Sequence, residues 1–113
     1  MAITGVMIRL AVDDLDAAAG FYEQLTGTTA RRFSFSGVDL AAVPPFLLLS
    51  GENAERFARA ATIVVDDLAA QERQLEALGA EITQPIVATP TGQRLVARHP
   101  DGRVFEYVAT DPA

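Results

Sequence analysis

The sequence predicts an α+β domain that consists of two β-α-β-β-β modules. The first observation behind this prediction is that an apolar segment runs into an Asp pair and then into a helical pattern twice along the chain. The second is that three short strand-like segments follow each helical pattern, with turn residues between them. A series of elements that occurs twice favours one structural unit used twice.

The first module begins with the apolar segment Val6–Val12, which we predict as a strand. Asp14 is the predicted N-cap of the helix that follows, and Gly27 is its predicted end. Between them, apolar residues recur at helical spacing: Leu15, Ala18, Ala19, Tyr22 and Leu25. Three predicted strands follow in "ARRFSFSG", "VDLAAV" and "FLLLSG", separated by Gly37 and the Pro44-Pro45 pair.

The second module repeats this order from the β-branched segment Ile63–Val65 onward. Asp66 and Asp67 end that strand, Gly79 closes the helix, and the helix presents an apolar stripe of Leu68, Leu75 and Leu78. The three strands after it are "EITQPIVAT", "GQRLVARH" and "RVFEYVAT". In the last turn, "HPDG", Pro100 stands at the second position, as in a type I turn.

The two modules match without a gap at their strand-to-helix passages. Leu10–Ala18 aligns with Ile63–Gln71 at an offset of 53, which pairs Asp14 with Asp67 and Leu15 with Leu68. We therefore predict a single domain made of an internal repeat, with modules at about 1–51 and 59–113 joined by a linker at about 52–58.

Composition and charge restrict the classes of function. The chain has 113 residues, of which 50% are hydrophobic, so it is long enough for one core. It has no Cys, which excludes disulfides and thiol nucleophiles, and no apolar run of the roughly 20 residues that span a bilayer. A net charge of −6 without a basic stripe argues against nucleic acid and favours small molecules, with a bias toward cations. A cytoplasmic protein with no membrane partner is predicted.

Together these features resemble the vicinal oxygen chelate superfamily, which includes glyoxalase I, bleomycin-resistance proteins and extradiol dioxygenases. "VDDLDAAAGFYEQLTG" is similar to the first strand-to-helix passage of the family with its Phe-Tyr pair, and "HPDGRVFEYV" is similar to its last hairpin. The resemblance implies that the two modules curve into an open, barrel-like cup and that two chains pair in a homodimer.

Metal-dependent members of this family place ligands at four positions in the cup. By the resemblance, these positions fall on Met7, Ala60, Glu106 and a residue near Leu48. Because only Glu106 has a side chain that suits a divalent metal, we predict a protein with no metal and no cofactor. The single histidine, His99, heads a turn; we interpret it as a solvated turn residue, and the alternative is a ligand that reaches into the cup.

Strand alternation predicts which side chains line the cup. Arg9 would share it with Glu106, where a guanidinium would compensate a carboxylate that is costly to bury alone. The alternative for Arg9 is a surface position, in which case Arg94 and Arg98 on the preceding strand are the next candidates to compensate Glu106. Phe105 and Tyr107 would face the helix instead. The other residues predicted to bind a ligand are mostly apolar: Met7, Phe46, Leu48, Ala60, Thr62 and Val104.

An apolar concavity with a few polar groups is typical of a small-molecule site. The first interpretation is a metal-free protein that resembles bleomycin-resistance proteins and sequesters an antibiotic or another natural product. The second is a metal-free lyase, isomerase or cyclase with Glu106 as general base. A metal-dependent glyoxalase or dioxygenase would need ligands that the chain lacks. The sequence leaves open the identity of the ligand, whether it is transformed, the pathway and the arrangement of the dimer.

Overall fold

The computed structural model describes residues 2–111 and shows the order β-α-β-β-β twice. The first series is β1 (Ile3–Ala11), α1 (Leu15–Thr26), β2 (Arg31–Phe35), β3 (Val38–Val43) and β4 (Phe46–Ser50). The second series is β5 (Ala61–Val65), α3 (Leu68–Ala77), β6 (Glu81–Thr89), β7 (Gly92–Arg98) and β8 (Val104–Thr110). The predicted α+β class with two such modules is confirmed. Over the described residues, none of the helices has the length and apolar character needed to cross a membrane.

The segment between the two series contains a short helix, α2 (Ala54–Phe57), where we predicted only a linker. By its packing, the chain divides into two compact units. Of the described residues, 7–59 form one unit, which we call the α1 unit; residues 2–6 and 60–111 form the other, which we call the α3 unit. The predicted module boundaries, and the single domain that they form, stay a prediction.

Both long helices begin in the same way, as the repeat predicts. Asp14 caps α1 by accepting a 3.0 Å hydrogen bond from the backbone N–H of Ala17, and Asp67 caps α3 by accepting one of the same length from Ala70. An aspartate at this position satisfies an N–H group that has no partner within the helix. At the other end of α1, Gly27 adopts a left-handed conformation with φ of 72°, which confirms it as the end of the helix.

The α1 unit contains four strands in the order β2-β3-β4-β1, with β1 parallel to β4 and the other neighbours antiparallel. One face of this sheet packs against α1 through Leu48, Ala41 and Ala19, which are all fully buried. The opposite face carries a second apolar cluster, which includes Leu47 and Leu49 and is joined by residues of α2. Both faces of this sheet are therefore covered with apolar side chains.

The α3 unit has the same topology, with strands in the order β6-β7-β8-β5 and β5 parallel to β8. Its core lies between this sheet and α3, and its buried members are Val65, Leu68, Leu75, Leu95, Ala97 and Tyr107. The hairpin between β7 and β8 closes with the predicted turn, in which the N–H of Gly102 donates to the carbonyl of His99 at 2.8 Å.

The edge strand β6 contains two irregularities of register against β7, on either side of Gln84. Ile82 pairs with Ala97, Gln84 pairs with Val96, and Val87 pairs with Arg94, so β6 has one extra residue in each interval. Each extra residue turns the following side chain to the other face of the sheet. As a result Ile82 packs in the core on the α3 side, while Gln84 aligns with Val96.

Gly92, the first residue of β7, packs closely against the backbone of β8. This residue has φ of +153°, and a Cβ atom there would collide with the carbonyl oxygen of Ala109 and lie 2.9 Å from the Cα of Thr110. We expect Gly92→Ala to destabilise the protein by about 2–4 kcal/mol, because the β8 backbone would have to move. Gly102 is the matched control, since it has φ of +89° with open space around it, and its change to Ala should cost about 1–2 kcal/mol. Denaturant unfolding measures both; equal losses would contradict the proposed collision.

Candidate functional site

Glu106 lies on the face of the α3-unit sheet that is turned away from α3. Its chain neighbours Phe105 and Tyr107 both pack in the core on the α3 side, as predicted. Because successive side chains of a strand point to opposite faces, Glu106 points away from that core. A carboxylate in such a position is costly to bury unless neighbouring groups compensate its charge.

The cation beside Glu106 is Arg94, from the neighbouring strand β7. Arg94 Nε donates to Glu106 Oε2 at 2.5 Å, and the two side chains are only 14% and 13% exposed. The other carboxylate oxygen, Oε1, accepts a 3.2 Å hydrogen bond from the hydroxyl of Thr62, which is 2% exposed. A carboxylate removed from water is stable when a guanidinium and a hydroxyl donate to it.

The far end of the same guanidinium contacts Gln84. Arg94 Nη1 donates to Gln84 Oε1 at 2.8 Å, and this contact is exposed. In register, Thr62 pairs with Glu106, Glu106 with Val96, and Val96 with Gln84, so one line of residues crosses all four strands. Arg94 is two residues from Val96 and therefore on the same face. We call the four polar side chains Thr62, Glu106, Arg94 and Gln84 the Arg94 row.

Sequence reasoning missed one member of this row and placed another second. Arg94 is the candidate after Arg9 to compensate Glu106, whereas Gln84 is an even number of residues from Ile82 and Ile86, which predicts the α3 face for all three. The two irregularities of β6 move Gln84 to the other face. The available signal was Pro85, since a proline inside a strand is found mainly at edges and bulges.

In the α1 unit, Met7 packs with the apolar cluster on the face opposite α1, as predicted. The prediction that Phe46 and Leu48 share this face is wrong, because both pack against α1. The parallel register pairs Arg9 with Leu47, so Leu47 is the β4 residue that corresponds to Glu106 in the second module. The sequence prediction assigned Leu48 to the position that Leu47 occupies in β4. A shift of one residue exchanges the two faces of a strand.

Arg9 lies on the same strand as Met7, and its Nη1 donates to the backbone carbonyl of Phe57 at 2.5 Å. This bond joins β1 to the C-terminal residue of α2. Arg9 and Glu106 belong to different units, and their pairing stays a prediction. A cation that compensates Glu106 is in any case supplied by Arg94 within the α3 unit.

The remaining predicted residues are Ala60 and Val104. Ala60 directly precedes β5 and is partly buried, while Val104 begins β8 and is 39% exposed. Strand alternation places Val104 on the face of Glu106, two residues away. The structure therefore brings Thr62, Val104 and Glu106 to one face.

A metal ion of the kind that this family implies does not fit the donors present. Within residues 2–111, no group of three or more His, Cys, Asp or Glu side chains is arranged to hold one. Glu106, the one suitable donor at the family positions, has its two oxygens engaged by Arg94 and Thr62. Divalent metals in proteins need several such donors. The absence of a resident metal stays a prediction.

His99 lies on the other side of this sheet. Its Nε2 is 2.5 Å from the hydroxyl of Tyr107, and its ring lies 4.6 Å from that of Phe105. Burial raises the pKa of Tyr107 above its usual 10.0. His99 is thus a half-buried partner of core aromatic residues rather than the solvated turn residue that we predicted, and it does not lie on the face of Glu106.

Comparisons with known proteins agree with this architecture. An uncharacterised protein from Methanosarcina mazei is 39% identical, with a TM-score of 0.87 over 100% of this chain and 97% of that one. Methylmalonyl-CoA epimerase from Mycobacterium tuberculosis is 22% identical, with a TM-score of 0.70 over 97% and 90% of the two chains. A variant of the Streptomyces coelicolor methylmalonyl-CoA epimerase, in complex with 2-nitronate-propionyl-CoA, is 17% identical, with a TM-score of 0.71 over 98% and 100%.

A comparison with curated proteins gives no significant match. The family model for the glyoxalase-like domain, in contrast, matches residues 6–108, which is nearly the whole chain. The structural neighbours belong to the vicinal oxygen chelate superfamily, and the fold resembles theirs from end to end. The chain therefore belongs to the glyoxalase-like domain family of the vicinal oxygen chelate superfamily.

Proposed function

We propose that this protein binds a small organic molecule on the sheet face that carries the Arg94 row. The observation that supports the proposal is a hydrogen-bonded set of polar side chains, largely buried except for the exposed Gln84, on a face turned away from the core. A small number of fixed polar groups among apolar ones is typical of a site that orients a ligand. Structural neighbours bind CoA esters, which is consistent with a ligand-binding role.

A role in sequestering a natural product, as in bleomycin-resistance proteins, is part of this proposal. The net charge of −6 gives a general bias toward cationic ligands, but Arg94 already supplies the positive charge that Glu106 needs. The carboxylate of Glu106 therefore adds no preference for a cation at this face.

A metal-free isomerase with Glu106 as general base is the second candidate. It is favoured by the presence of a largely buried carboxylate in a chain whose structural neighbours include methylmalonyl-CoA epimerases. A base must direct a lone pair at the proton that it removes. Because Arg94 and Thr62 donate to the two oxygens of Glu106, one of these contacts would have to open during the reaction.

One screen tests both candidates. Ligand-observed NMR in D₂O, with a library of small organic molecules that includes methylmalonyl-CoA, should detect binding to the wild-type protein. Binding should be lost in the double variant Arg94→Met with Glu106→Leu, in which the row is apolar. Exchange of a ligand C–H for deuterium that disappears in Glu106→Gln would favour the isomerase. A library with no binder, or binders unaffected by the double variant, would contradict the proposed site.

We also predict that the Arg94–Glu106 pair couples strongly in the free energy of unfolding. Glu106→Leu should cost on the order of 3 kcal/mol or more, because it leaves a guanidinium largely buried without its carboxylate. Adding Arg94→Met should recover much of this loss, since apolar replacement of both partners is often neutral. Denaturant unfolding of the wild type, the two single variants and the double variant gives the coupling free energy between Arg94 and Glu106.

The matched control for this cycle is the ion pair of Arg98 with Glu81, which also has a 2.5 Å contact but is 51% and 65% exposed. Its coupling should be about 0.2–1 kcal/mol. Equal couplings for the two pairs would show that burial does not strengthen the contact between Arg94 and Glu106, contrary to the prediction. The same cycle with Arg9→Met in place of Arg94→Met tests the pairing predicted from the sequence.

We further propose that the protein forms a homodimer. In the α1 unit, Phe21 and Leu25 are each 61% exposed, and Ile8 is 49% exposed. Phe21 contacts Tyr22, Tyr22 contacts Phe46, and Phe46 pairs with Ile8 in register, so these four residues form a connected apolar patch. Leu25 lies four residues after Phe21 and therefore on the same face of α1. Exposed apolar patches on small proteins commonly mark contacts with other proteins.

Light scattering should therefore give twice the 12.0 kDa mass of one chain. Leu25→Lys should shift the protein toward the monomer, because a charge would enter the contact. Leu78→Lys is the matched control, since Leu78 is also exposed at the end of a helix but lies in the α3 unit. A monomeric wild-type protein would contradict the proposal, as would equal effects of both changes.

A further inference from the structure

Two acceptors of the Arg94 guanidinium, Glu106 and Gln84, differ in charge and in burial. Glu106 is charged, largely buried and placed on the interior strand β8, whereas Gln84 is uncharged, exposed and placed on the edge strand β6. The contact with Glu106 joins two opposite charges, whereas the contact with Gln84 has only one ionised partner, so the Glu106 contact is the stronger of the two. Of the two contacts, the Gln84 contact is the one that a ligand can replace at low cost.

The group on Nη1 is itself a carbonyl oxygen, that of the Gln84 side-chain amide. Arg94 and Glu106 together carry no net charge, and the whole chain carries −6. A ligand carboxylate would place a second anion next to Glu106, and a ligand ammonium would be repelled by the guanidinium. An uncharged carbonyl oxygen meets neither penalty.

Apolar side chains lie beside Arg94 on the same face. In register, Arg94 pairs with Val108 on one side and with Val87 on the other, and Val108 pairs with Val64. Val87 is 42% exposed. A short branched hydrocarbon chain attached to a carbonyl group would cover this surface while its oxygen reaches Nη1.

From these contacts we infer that the ligand presents an uncharged carbonyl oxygen, as in an amide, ester or ketone, which takes the place of Gln84 Oε1 on Arg94 Nη1. The inference rests on the proposed binding function and specifies the chemistry of the ligand. Glu106 acts in it as a positioning residue, because it fixes the guanidinium through Nε. Gln84 occupies the position of the ligand oxygen when no ligand is bound.

Three probes of one shape test the inference: 3-methylbutanamide, 3-methylbutanoate and 3-methylbutylamine. Chemical-shift titration of the labelled full chain should show the tightest binding for the amide, with shifts in β6, β7 and β8. Gln84→Ala should tighten amide binding, because the ligand no longer competes with a side chain. Arg94→Lys should weaken it about tenfold or more, because an ammonium on a flexible chain does not keep the fixed fork of donors that serves Glu106 and the ligand together.

Gln93→Ala is the matched control for Gln84→Ala, because it removes the same side-chain amide at an exposed residue of β7 that is not part of the Arg94 row. It should leave amide binding unchanged. A cooperative thermal transition in each variant shows that the variant folds.

Tighter binding of the acid or the amine, or equal effects of the Gln84 and Gln93 changes, would overturn the inference. Absence of amide binding even to Gln84→Ala would overturn it too. If the library screen nevertheless finds binders that depend on the Arg94 row, the proposed function stands and only the chemistry assigned to the ligand fails. A screen without binders would overturn both the proposed function and the assigned ligand chemistry.

Discussion

The contact between Glu106 and Arg94 is the interaction on which the character of the α3 unit depends. A carboxylate that is 13% exposed is tolerated only with a cation and a further donor beside it, and Arg94 and Thr62 provide them. Glu106, Thr62 and Arg94 lie on three neighbouring strands, and Gln84 lies on the fourth. The charge of Glu106 in β8 thus requires polar side chains on the neighbouring strands of the α3 unit. The centre of this sheet face is polar as a result.

The two units show how one topology can support two different surfaces. Both sheets have the same order of strands, the same parallel pair and the same aspartate cap on the helix that covers one face. Where the α3 unit has Glu106, the α1 unit has Leu47, which is buried in an apolar cluster together with residues of α2. The helix-covered faces are alike because a core is needed in each unit, whereas the opposite faces are free to differ.

Membership of the glyoxalase-like family does not by itself define the chemistry of this chain. The fold is shared with epimerases at less than a quarter identity, and function depends on the side chains placed on the fold. Among the described residues the donor set does not fit a divalent metal, and a guanidinium contacts the carboxylate oxygen that the family pattern would assign to one. Arg94 gives directional N–H donors where a metal would give a Lewis acid, so the two kinds of site favour different ligands.

The sequence by itself determined the two modules, the capping residues Asp14 and Gly27, and the face of Glu106. These features follow from local patterns: apolar periodicity, cap chemistry and the alternation of side chains in a regular strand. Only the tertiary structure decided that Leu47 rather than Leu48 lies opposite Arg9, that Arg94 and Thr62 donate to Glu106, and that Gln84 accepts from Arg94. Strand register and bulges are set by pairing with distant segments, and a shift of one residue reverses the face of every side chain that follows.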